Sequence, residues 1–546
     1  MITKLTKNLK WEFSMNIYQT YACLVIGIIV LGIVVNTITT IVKRKKLISN
    51  IKQLWKSKKT LEEFIRPNSR FDYQFNLRRK NYSDTLIDDK TWTDLDMDTL
   101  FHKSNFNFTA IGEMKWYATL RKMFTINNKK LVNQFKDEQF RVNVSYHLAL
   151  IGKVVYPLSP DQIKPVKRNN LFMLCPFLPL LGAIIIFINI SLGILIILFS
   201  ILLNIGLSAY LKKSYSQDLK SIFYTSKVIK HSYSLSKIKG TPSINIDFQQ
   251  FKLARSLSGF IGKADDQDIG GTFIMLFKMS FMLDYFFFHI IQFTYVKHQE
   301  ELLQCYDYIS TLDNHYSLVM YRRTLHTYCE PSIIKDKQQI TFSNLLHPLL
   351  TEAVPNSLNI KHNILLTGSN ASGKSTFMKA VATNLILAQT LNTATAEAFS
   401  YKPGLVYTSM ANTDDILSGD SYFMTELKSI RRLFNIKNNQ LVYCFIDEIF
   451  KGTNTTERIA ASESVLNYLD TEKHYKVIAA THDIELSEYL KANYENYHFN
   501  ESIENNQIYF DYKIKKGKAN TRNAIELLRI TQFPERVYTR AKQTIE

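Results

Sequence analysis

The chain has 546 residues, of which 46% are hydrophobic, with only 18 Gly and 12 Pro. This length predicts several structural units, and the composition excludes a mainly disordered or collagen-like protein. Five scattered cysteines without a C-x-x-C pair argue against a disulfide framework or a zinc site and favour a reducing compartment, while the net charge of +19 indicates anionic partners.

The first predicted element is an apolar helix near the N-terminus. Residues 13–42 carry no charge, and the stretch 21–42 matches the ~20 residues that a bilayer requires. A cleaved signal peptide is the alternative, but the stretch is long, is followed by KRKK and lacks a small-x-small cleavage pattern. We therefore predict an uncleaved transmembrane anchor over 1–46.

A basic region follows this anchor directly. Residues 43–80 contain thirteen Lys or Arg against three Asp or Glu. Because the region adjoins an apolar segment, anionic lipid headgroups are its favoured partner, with nucleic acid or a merely solvated basic face as alternatives. We assign 47–168 to this juxtamembrane region and the start of a helical core.

Residues 169–211 are predicted to form a transmembrane hairpin. They carry no charge, and as a helix they would extend about 65 Å, which is two crossings of a ~30 Å hydrocarbon layer. Asn189, Ser191 and Gly193 lie near the middle, where the turn is expected. Lys and Arg flank both ends, which places both ends in the cytoplasm. Together with the anchor this predicts three transmembrane helices in a multi-pass protein, with everything from residue 212 onward in the cytosol.

A fourth apolar run, residues 272–293, is predicted to be a buried helix of a soluble region. It contains Lys278, Asp284 and His289. A charge near the centre of a bilayer costs several kcal/mol, whereas a soluble helix can turn such residues to its polar side.

The glycine-rich sequence GSNASGKST stands between an apolar strand and a predicted helix, which is the context of a P-loop. Gly368 and Gly373 let consecutive N–H groups turn toward phosphate oxygens, and the helix adds its positive end. Lys374 supplies a charge for the outer phosphates, and the Ser375 hydroxyl is a ligand for Mg²⁺. The predicted nucleotide-binding residues are Gly368, Ser369, Asn370, Ala371, Ser372, Gly373, Lys374, Ser375 and Thr376.

Two further buried strands end in residues suited to ATP hydrolysis. LVYCFIDEIF leads to Asp447, predicted to hold Mg²⁺ directly or through water, and to Glu448, predicted to orient and deprotonate the attacking water. KVIAATHD ends near His482, predicted to sense the γ-phosphate because ligands bind at the carboxyl ends of parallel strands. The alternatives are a solvated acidic strand end for Asp447 and Glu448 and a structural role for His482.

Residues 410–434 precede the acidic strand and contain SGDS just before an amphipathic helix. Such a helix start binds anions, but the chain's own nucleotide already has a P-loop. We therefore predict that Ser418, Gly419 and Ser421 contact the ATP of a partner subunit. A simple helix cap is compatible with the same residues.

These motifs, in this order, resemble those of the MutS family of mismatch-repair ATPases. The resemblance includes LLHPLL with VPN, TGSNASGKSTFM, DDILSGDSYFMTEL, FIDEIFKGTNTTERIAA, THDIELSEYL and the C-terminal stretch 511–543. Asp420 and Tyr422 stand where that family more often has Arg and Thr. Upstream the likeness is fainter and rests on 95–123, with its T-x-x-G turn.

The resemblance implies an α/β P-loop NTPase domain of the ABC/MutS type over 341–546, ending in a dimerisation helix. An all-α core or lever region, which includes 212–340 and is interrupted by the membrane hairpin, would precede it. The implied cofactors are ATP and Mg²⁺, and the implied partners are a second copy of the chain and DNA. No small-molecule substrate other than ATP is expected.

The resemblance implies the ATP chemistry, but it does not extend to the elements that recognise mismatches. Residues 1–94 contain no F-x-E element, and no clamp domain is discernible. FNE (499–501) and FPE (533–535) lie beyond the ATPase strands and are interpreted as coincidental.

The sequence thus predicts a membrane-anchored ATPase of the inner or cytoplasmic membrane, with its ATPase domain in the cytoplasm. It would work as a dimeric nucleotide switch that binds mismatched or structured DNA in repair. One alternative is a membrane-tethered, ATP-driven scaffold without DNA binding. Another is an ABC-type transporter subunit, since LSGDS is reminiscent of LSGGQ, but three crossings leave little room for a substrate pathway.

Overall fold

The computed structural model describes residues 17–57, 71–82, 85–153, 165–261, 269–369, 372–410, 422–436, 440–504, 507–519, 528–530 and 532–545. Up to Thr324 the regular elements of these residues are helices. They are α1 (Ile17–Ser57), α2 (Tyr73–Arg78), α3 (Asp89–Asp94), α4 (Met97–Ser104), α5 (Ala110–Leu120), α6 (Lys129–Gln134), α7 (Glu138–Ile151), α8 (Asn170–Leu174), α9 (Leu178–Ile185), α10 (Ile190–Ser214), α11 (Ser216–Ser236), α12 (Lys252–Ile261), α13 (Ile269–Ser280), α14 (Leu283–Lys297) and α15 (Gln299–Thr324), with 3-10 turns at Arg79–Asn81 and Cys175–Phe177.

Side-chain caps start several of these helices. Thr109 accepts a hydrogen bond from the N–H of Gly112 at the start of α5, and Asp137 accepts one from Phe140 at the start of α7. Each satisfies a backbone donor that the first helical turn leaves unpaired. Helices α5, α7, α11 and α15 pack together around a core that includes Trp116 and Tyr295.

The C-terminal part combines two sheets with further helices. The strands are β1 (Ser332–Ile333), β2 (Ile340–Leu345), β3 (Asn356–Ile360), β4 (Asn363–Thr367), β5 (Ala398–Tyr401), β6 (Leu405–Ser409), β7 (Val442–Asp447), β8 (Tyr475–Ala480), β9 (Tyr494–Glu504) and β10 (Gln507–Lys516). The helices are α16 (Lys374–Leu391), α17 (Tyr422–Phe434), α18 (Thr455–Thr471), α19 (Ile484–Tyr489) and α20 (Glu535–Ile545).

The larger sheet has the order β10-β9-β4-β8-β7-β6, and the smaller one β1-β5-β2-β3. In the larger sheet all neighbours are parallel except the β9–β10 pair. Strands β4 and β8 are buried along their whole length, as expected for a parallel sheet covered on both faces. The predicted α/β arrangement is therefore present in this part of the chain.

The membrane segments differ from the prediction of three crossings. Within the described residues, α10 is the one helix long and apolar enough to span a bilayer. The predicted first leg of the hairpin is a shorter apolar helical stretch, Asn170–Ile185, interrupted by the 3-10 turn that contains Pro176, because proline cannot donate a backbone hydrogen bond. Residues 1–16 of the predicted anchor lie outside the described residues, and α1 continues the anchor into the basic region as one long helix.

The turn of the hairpin lies where the sequence predicts it. Helix α9 packs against α10, and the chain reverses between Ile186 and Asn189. The Asn189 side chain then caps α10 by accepting a hydrogen bond of 3.1 Å from the N–H of Leu192. The predicted hairpin geometry is thus present, although its first leg is short.

The fourth apolar run also differs from the prediction of one buried helix. It is broken between α13 and α14, where Met282 adopts a left-handed conformation with φ of 46°. Helix α14 buries Tyr285, Phe288 and Ile291, as predicted, whereas α13 keeps apolar side chains exposed.

A buried carboxylate joins the helical region to the edge of the larger sheet. Asp94 of α3 accepts hydrogen bonds from the Thr408 hydroxyl (2.7 Å) and from the N–H of Met410 (3.0 Å). It also pairs with Lys90 at 2.7 Å. Met410 directly precedes the predicted partner-contacting segment 411–421, which lies outside the described residues.

We expect Asp94→Ala to lower the free energy of unfolding by about 2–3 kcal/mol, because it leaves buried donors of Thr408 and Met410 unpaired. Asp336→Ala, at an exposed aspartate, is the matched control and should change it by less than about 0.5 kcal/mol. Thermal unfolding of the detergent-solubilised protein measures both. Equal effects of the two substitutions would contradict the importance of this junction.

Candidate nucleotide-binding site

The glycine-rich loop joins the end of β4 to the start of α16. Gly373, with φ of 103°, directly precedes the helix, and Gly368 has φ of 139°. A Cβ atom on Gly368 would lie 2.9 Å from both the Phe499 carbonyl oxygen and the Ser372 hydroxyl. The loop therefore requires glycine for its backbone conformation and for its close approach to β9.

Lys374 is buried at the first position of α16, with its side chain folded over the loop. Its Nζ donates hydrogen bonds to the carbonyl oxygens of Gly368 (2.8 Å) and Ser369 (2.7 Å). Burial lowers the pKa of Lys374 to about 8, and nearby carboxylates oppose the shift. An incoming phosphate would replace neutral carbonyl acceptors with a charged one, which favours the protonated lysine.

The remaining loop residues support this arrangement. The buried Ser372 hydroxyl donates to the Ser369 carbonyl oxygen at 2.8 Å and closes the loop on itself. Thr376 is exposed on the first turn of α16. Asn370 and Ala371 lie outside the described residues.

Asp447 and Ser375 form a pair suited to Mg²⁺. Burial raises the pKa of Asp447, and a hydrogen bond from the Ser375 hydroxyl opposes that shift. The second carboxylate oxygen, Oδ1, is buried and has no hydrogen-bond partner among the described residues. A buried acceptor without a partner is costly, and a hard cation prefers carboxylate and hydroxyl oxygens as ligands. These two residues therefore fit the predicted magnesium site.

Glu448 follows in a left-handed conformation, with φ of 54°. Its N–H donates to the Ala480 carbonyl oxygen at 3.0 Å, while its carboxylate contacts His482 Nε2 and lies 2.5 Å from Lys451 Nζ. The hydrogen bond from His482, together with Lys451, lowers the pKa of Glu448 to about 2. The carboxylate is therefore ionised near neutral pH, and His482 contacts it.

The structure thus brings together five predicted site residues at the carboxyl ends of the parallel strands of the larger sheet: Lys374, Ser375, Asp447, Glu448 and His482. The predicted partner-contacting residues Ser418, Gly419 and Ser421 lie outside the described residues.

Helix α17, which follows the partner-contacting segment, is nevertheless tied to the site. The carboxylate of its buried Glu426 accepts hydrogen bonds from the N–H groups of Lys451 and Gly452, both at 3.2 Å. The loop after Glu448 is therefore held by the helix that continues the segment 411–421.

Glu501 is a site residue that the sequence interpretation missed. Strand β9 runs parallel to β4, with His498 opposite Thr367, so residues beyond His498 lie beside the glycine-rich loop. The Glu501 carboxylate accepts a hydrogen bond from the Ser369 hydroxyl. It belongs to FNE, which the sequence alone gives no reason to assign to the site, and only the pairing of β9 with β4 reveals its place.

A carboxylate beside a phosphate-binding loop repels the nucleotide. We therefore expect Glu501→Gln, which keeps the size and a hydrogen-bonding oxygen, to tighten Mg·ATP binding about tenfold. Glu495→Gln is the matched control, because Glu495 lies on the same strand but its carboxylate is 3.9 Å from His362 Nε2 and not beside the loop. It should leave the affinity unchanged. Equilibrium binding of a fluorescent ATP analogue measures both, and an unchanged affinity in Glu501→Gln would contradict the expectation.

Comparison with known proteins agrees with this site. The family model for MutS domain V matches residues 364–546. DNA mismatch repair protein MutS of Pseudothermotoga lettingae is 32% identical over 259 residues, covering 45% of this chain and 30% of the relative. The MutS proteins of Petrotoga mobilis and Fusobacterium nucleatum are 30% and 28% identical, covering 40% and 41% of this chain and 28% and 26% of their own lengths. The chain thus spans less than a third of the length of these relatives.

Proposed function

We propose that this protein is an ATPase that uses Mg·ATP to switch a dimer between open and closed states, because residues 364–546 match the family model for MutS domain V. The observation that carries this proposal is the buried Oδ1 of Asp447, which has no hydrogen-bond partner among the described residues and lies in a site shared with Ser375 and Lys374. A cation and a phosphate together would satisfy these groups.

Each residue of the site has a role in this reaction. Lys374 and the loop N–H groups bind the outer phosphates, and Ser375 and Asp447 would hold Mg²⁺, which neutralises phosphate charge when bound. Glu448 orients the attacking water and accepts its proton, once one of its contacts with His482 or Lys451 gives way. His482 contacts Glu448 and would sense the γ-phosphate.

We infer the dimer from the SGDS sequence within residues 411–421. This segment would supply Ser418, Gly419 and Ser421 to the nucleotide of a partner subunit, as the sequence predicts. Its two neighbours support such a role, since Met410 is held by Asp94 and α17 holds the loop after Glu448. Exposed apolar residues at the C-terminus, Phe533 and Val537, support a further contact between the two copies.

The proposed partners are DNA and membrane lipids. The relatives are named for DNA mismatch repair, and the net charge of +19 favours an anionic ligand, so mismatched or structured DNA is the proposed ligand. The exposed apolar face of α10, with Leu198, Phe199 and Leu202, supports attachment to the inner or cytoplasmic membrane, with the ATPase domain in the cytoplasm.

We expect Glu448→Gln to retain Mg·ATP binding but to lose nearly all hydrolysis, because the amide cannot accept the proton of water. The loss should be at least about 100-fold, and the variant should accumulate as a dimer in ATP. Glu463→Gln on α18 is the control and should hydrolyse ATP normally. Phosphate release and size-exclusion chromatography measure these outcomes, and substantial hydrolysis by Glu448→Gln would reject its assignment as base.

DNA binding is tested by the ATPase rate of the detergent-purified protein with homoduplex, mismatched or branched DNA. We expect the rate to rise several-fold with mismatched or branched DNA, because the ligand would favour one state of the dimer. Glu448→Gln provides the background rate. A rate that is indifferent to every DNA would instead favour the ATP-driven membrane scaffold.

A further inference from the structure

Helix α13 packs against α10, the candidate membrane span. Side chains of α10 donate hydrogen bonds to the last carbonyl groups of α13. The buried Asn204 side chain of α10 donates to the Ser280 carbonyl oxygen at 2.7 Å and to the Cys175 carbonyl oxygen at 3.0 Å. The Ser208 hydroxyl donates to the Met279 carbonyl oxygen at 3.1 Å. Polar side chains of the span therefore join the end of α13 to both legs of the hairpin.

These hydrogen bonds would allow the end of α13 to lie in an environment without water. The last carbonyl groups of a helix have no partner within it, and in aqueous solution water satisfies them. In hydrocarbon an unsatisfied carbonyl costs several kcal/mol, so helix ends there must be satisfied by protein. Asn204 and Ser208 provide such partners for α13.

The charged side chain of α13, Lys278, does not face outward. Lys278 is almost fully buried, and its ammonium pairs with Asp284 at 2.8 Å. The adjacent Leu276 and Phe277 are 50% and 48% exposed. Where side chains of α13 are described, from 275 to 280, the outward face is therefore apolar, which removes the objection that Lys278 raised to a membrane location.

We propose that α13 contacts lipid acyl chains together with α9 and α10, so that the membrane unit has three helices instead of the hairpin alone. Asn204 precedes Lys212, at the cytoplasmic end of α10, by two helical turns or about 12 Å. The C-terminal end of α13 thus lies at the depth of the cytoplasmic leaflet. This inference rests on the proposed membrane attachment and extends it to a segment that the sequence assigns to the cytosol.

The test is photocrosslinking in vesicles of phosphatidylethanolamine and phosphatidylglycerol. Benzoylphenylalanine replaces Phe277 in the full-length protein, and mass spectrometry identifies the adducts. Phe199, exposed on α10, is the reference for the hairpin, and Tyr489, exposed on α19, is the aqueous control. Leu276 is a second α13 position, should the Phe277 variant fold poorly.

We expect lipid adducts at Phe277 at a yield similar to that at Phe199 and about tenfold above that at Tyr489, since only side chains in the bilayer meet acyl chains. Adducts at Phe199 without adducts at Phe277 and Leu276 would overturn the inference and leave the hairpin intact. Peptide crosslinks from Phe277 to a second copy of the chain would also overturn it, in favour of a protein interface. Absence of lipid adducts at Phe199 would instead reject the membrane attachment itself.

Discussion

The register of three parallel strands determines the geometry of the candidate nucleotide site. Ile364 of β4 lies opposite Ile478 of β8, and Asp447 of β7 lies opposite Ala480, so the glycine-rich loop, the acidic pair and His482 leave the sheet at the same edge. Side chains alternate along a strand, and a shift of one residue would turn Asp447 to the opposite face. Complete burial of β4 and β8 makes such a shift costly, because apolar side chains contact helices on both faces.

The same sheet ties the site to the helical region. Described residues on both sides of 411–421 are held by buried carboxylates: Asp94 of α3 accepts a hydrogen bond from the N–H of Met410, and Glu426 of α17 accepts one from the loop after Glu448. On the proposed dimer, a contact between 411–421 and the partner's nucleotide would therefore act on both the helical region and the loop of the proposed base. Buried hydrogen bonds on both sides make the connection stiff, since neither end can shift without leaving polar groups unpaired.

Local patterns predict the parts of the site that lie within one strand and its following turn, such as Lys374, Asp447 and His482. Glu501 could not be found this way, because its position depends on the pairing of β9 with β4, which are more than a hundred residues apart. The apolar run 272–293 likewise gives no sign of the left-handed Met282 that separates α13 from α14. A hydropathy profile treats Lys278 as an exposed charge. In the structure Lys278 pairs with Asp284 across the break at Met282 and is buried.

On the proposed function, a direct helical connection explains how ATP hydrolysis could be coupled to a membrane segment of the same chain. Only Tyr215 separates α10 from α11, and α11 packs against α7 and α15, the helix that leads into the first sheet. Helix α1 packs against α7 as well, with the Arg44 guanidinium 5.4 Å from the centre of the Tyr146 ring. On the proposed attachment, both membrane segments are fixed to one helical bundle that is fixed to β6 by Asp94. Two such chains would meet in the plane of one bilayer with their candidate nucleotide sites already oriented, so less rotational freedom would be lost when the dimer closes. Closure would in turn tilt the helices that hold the membrane segments.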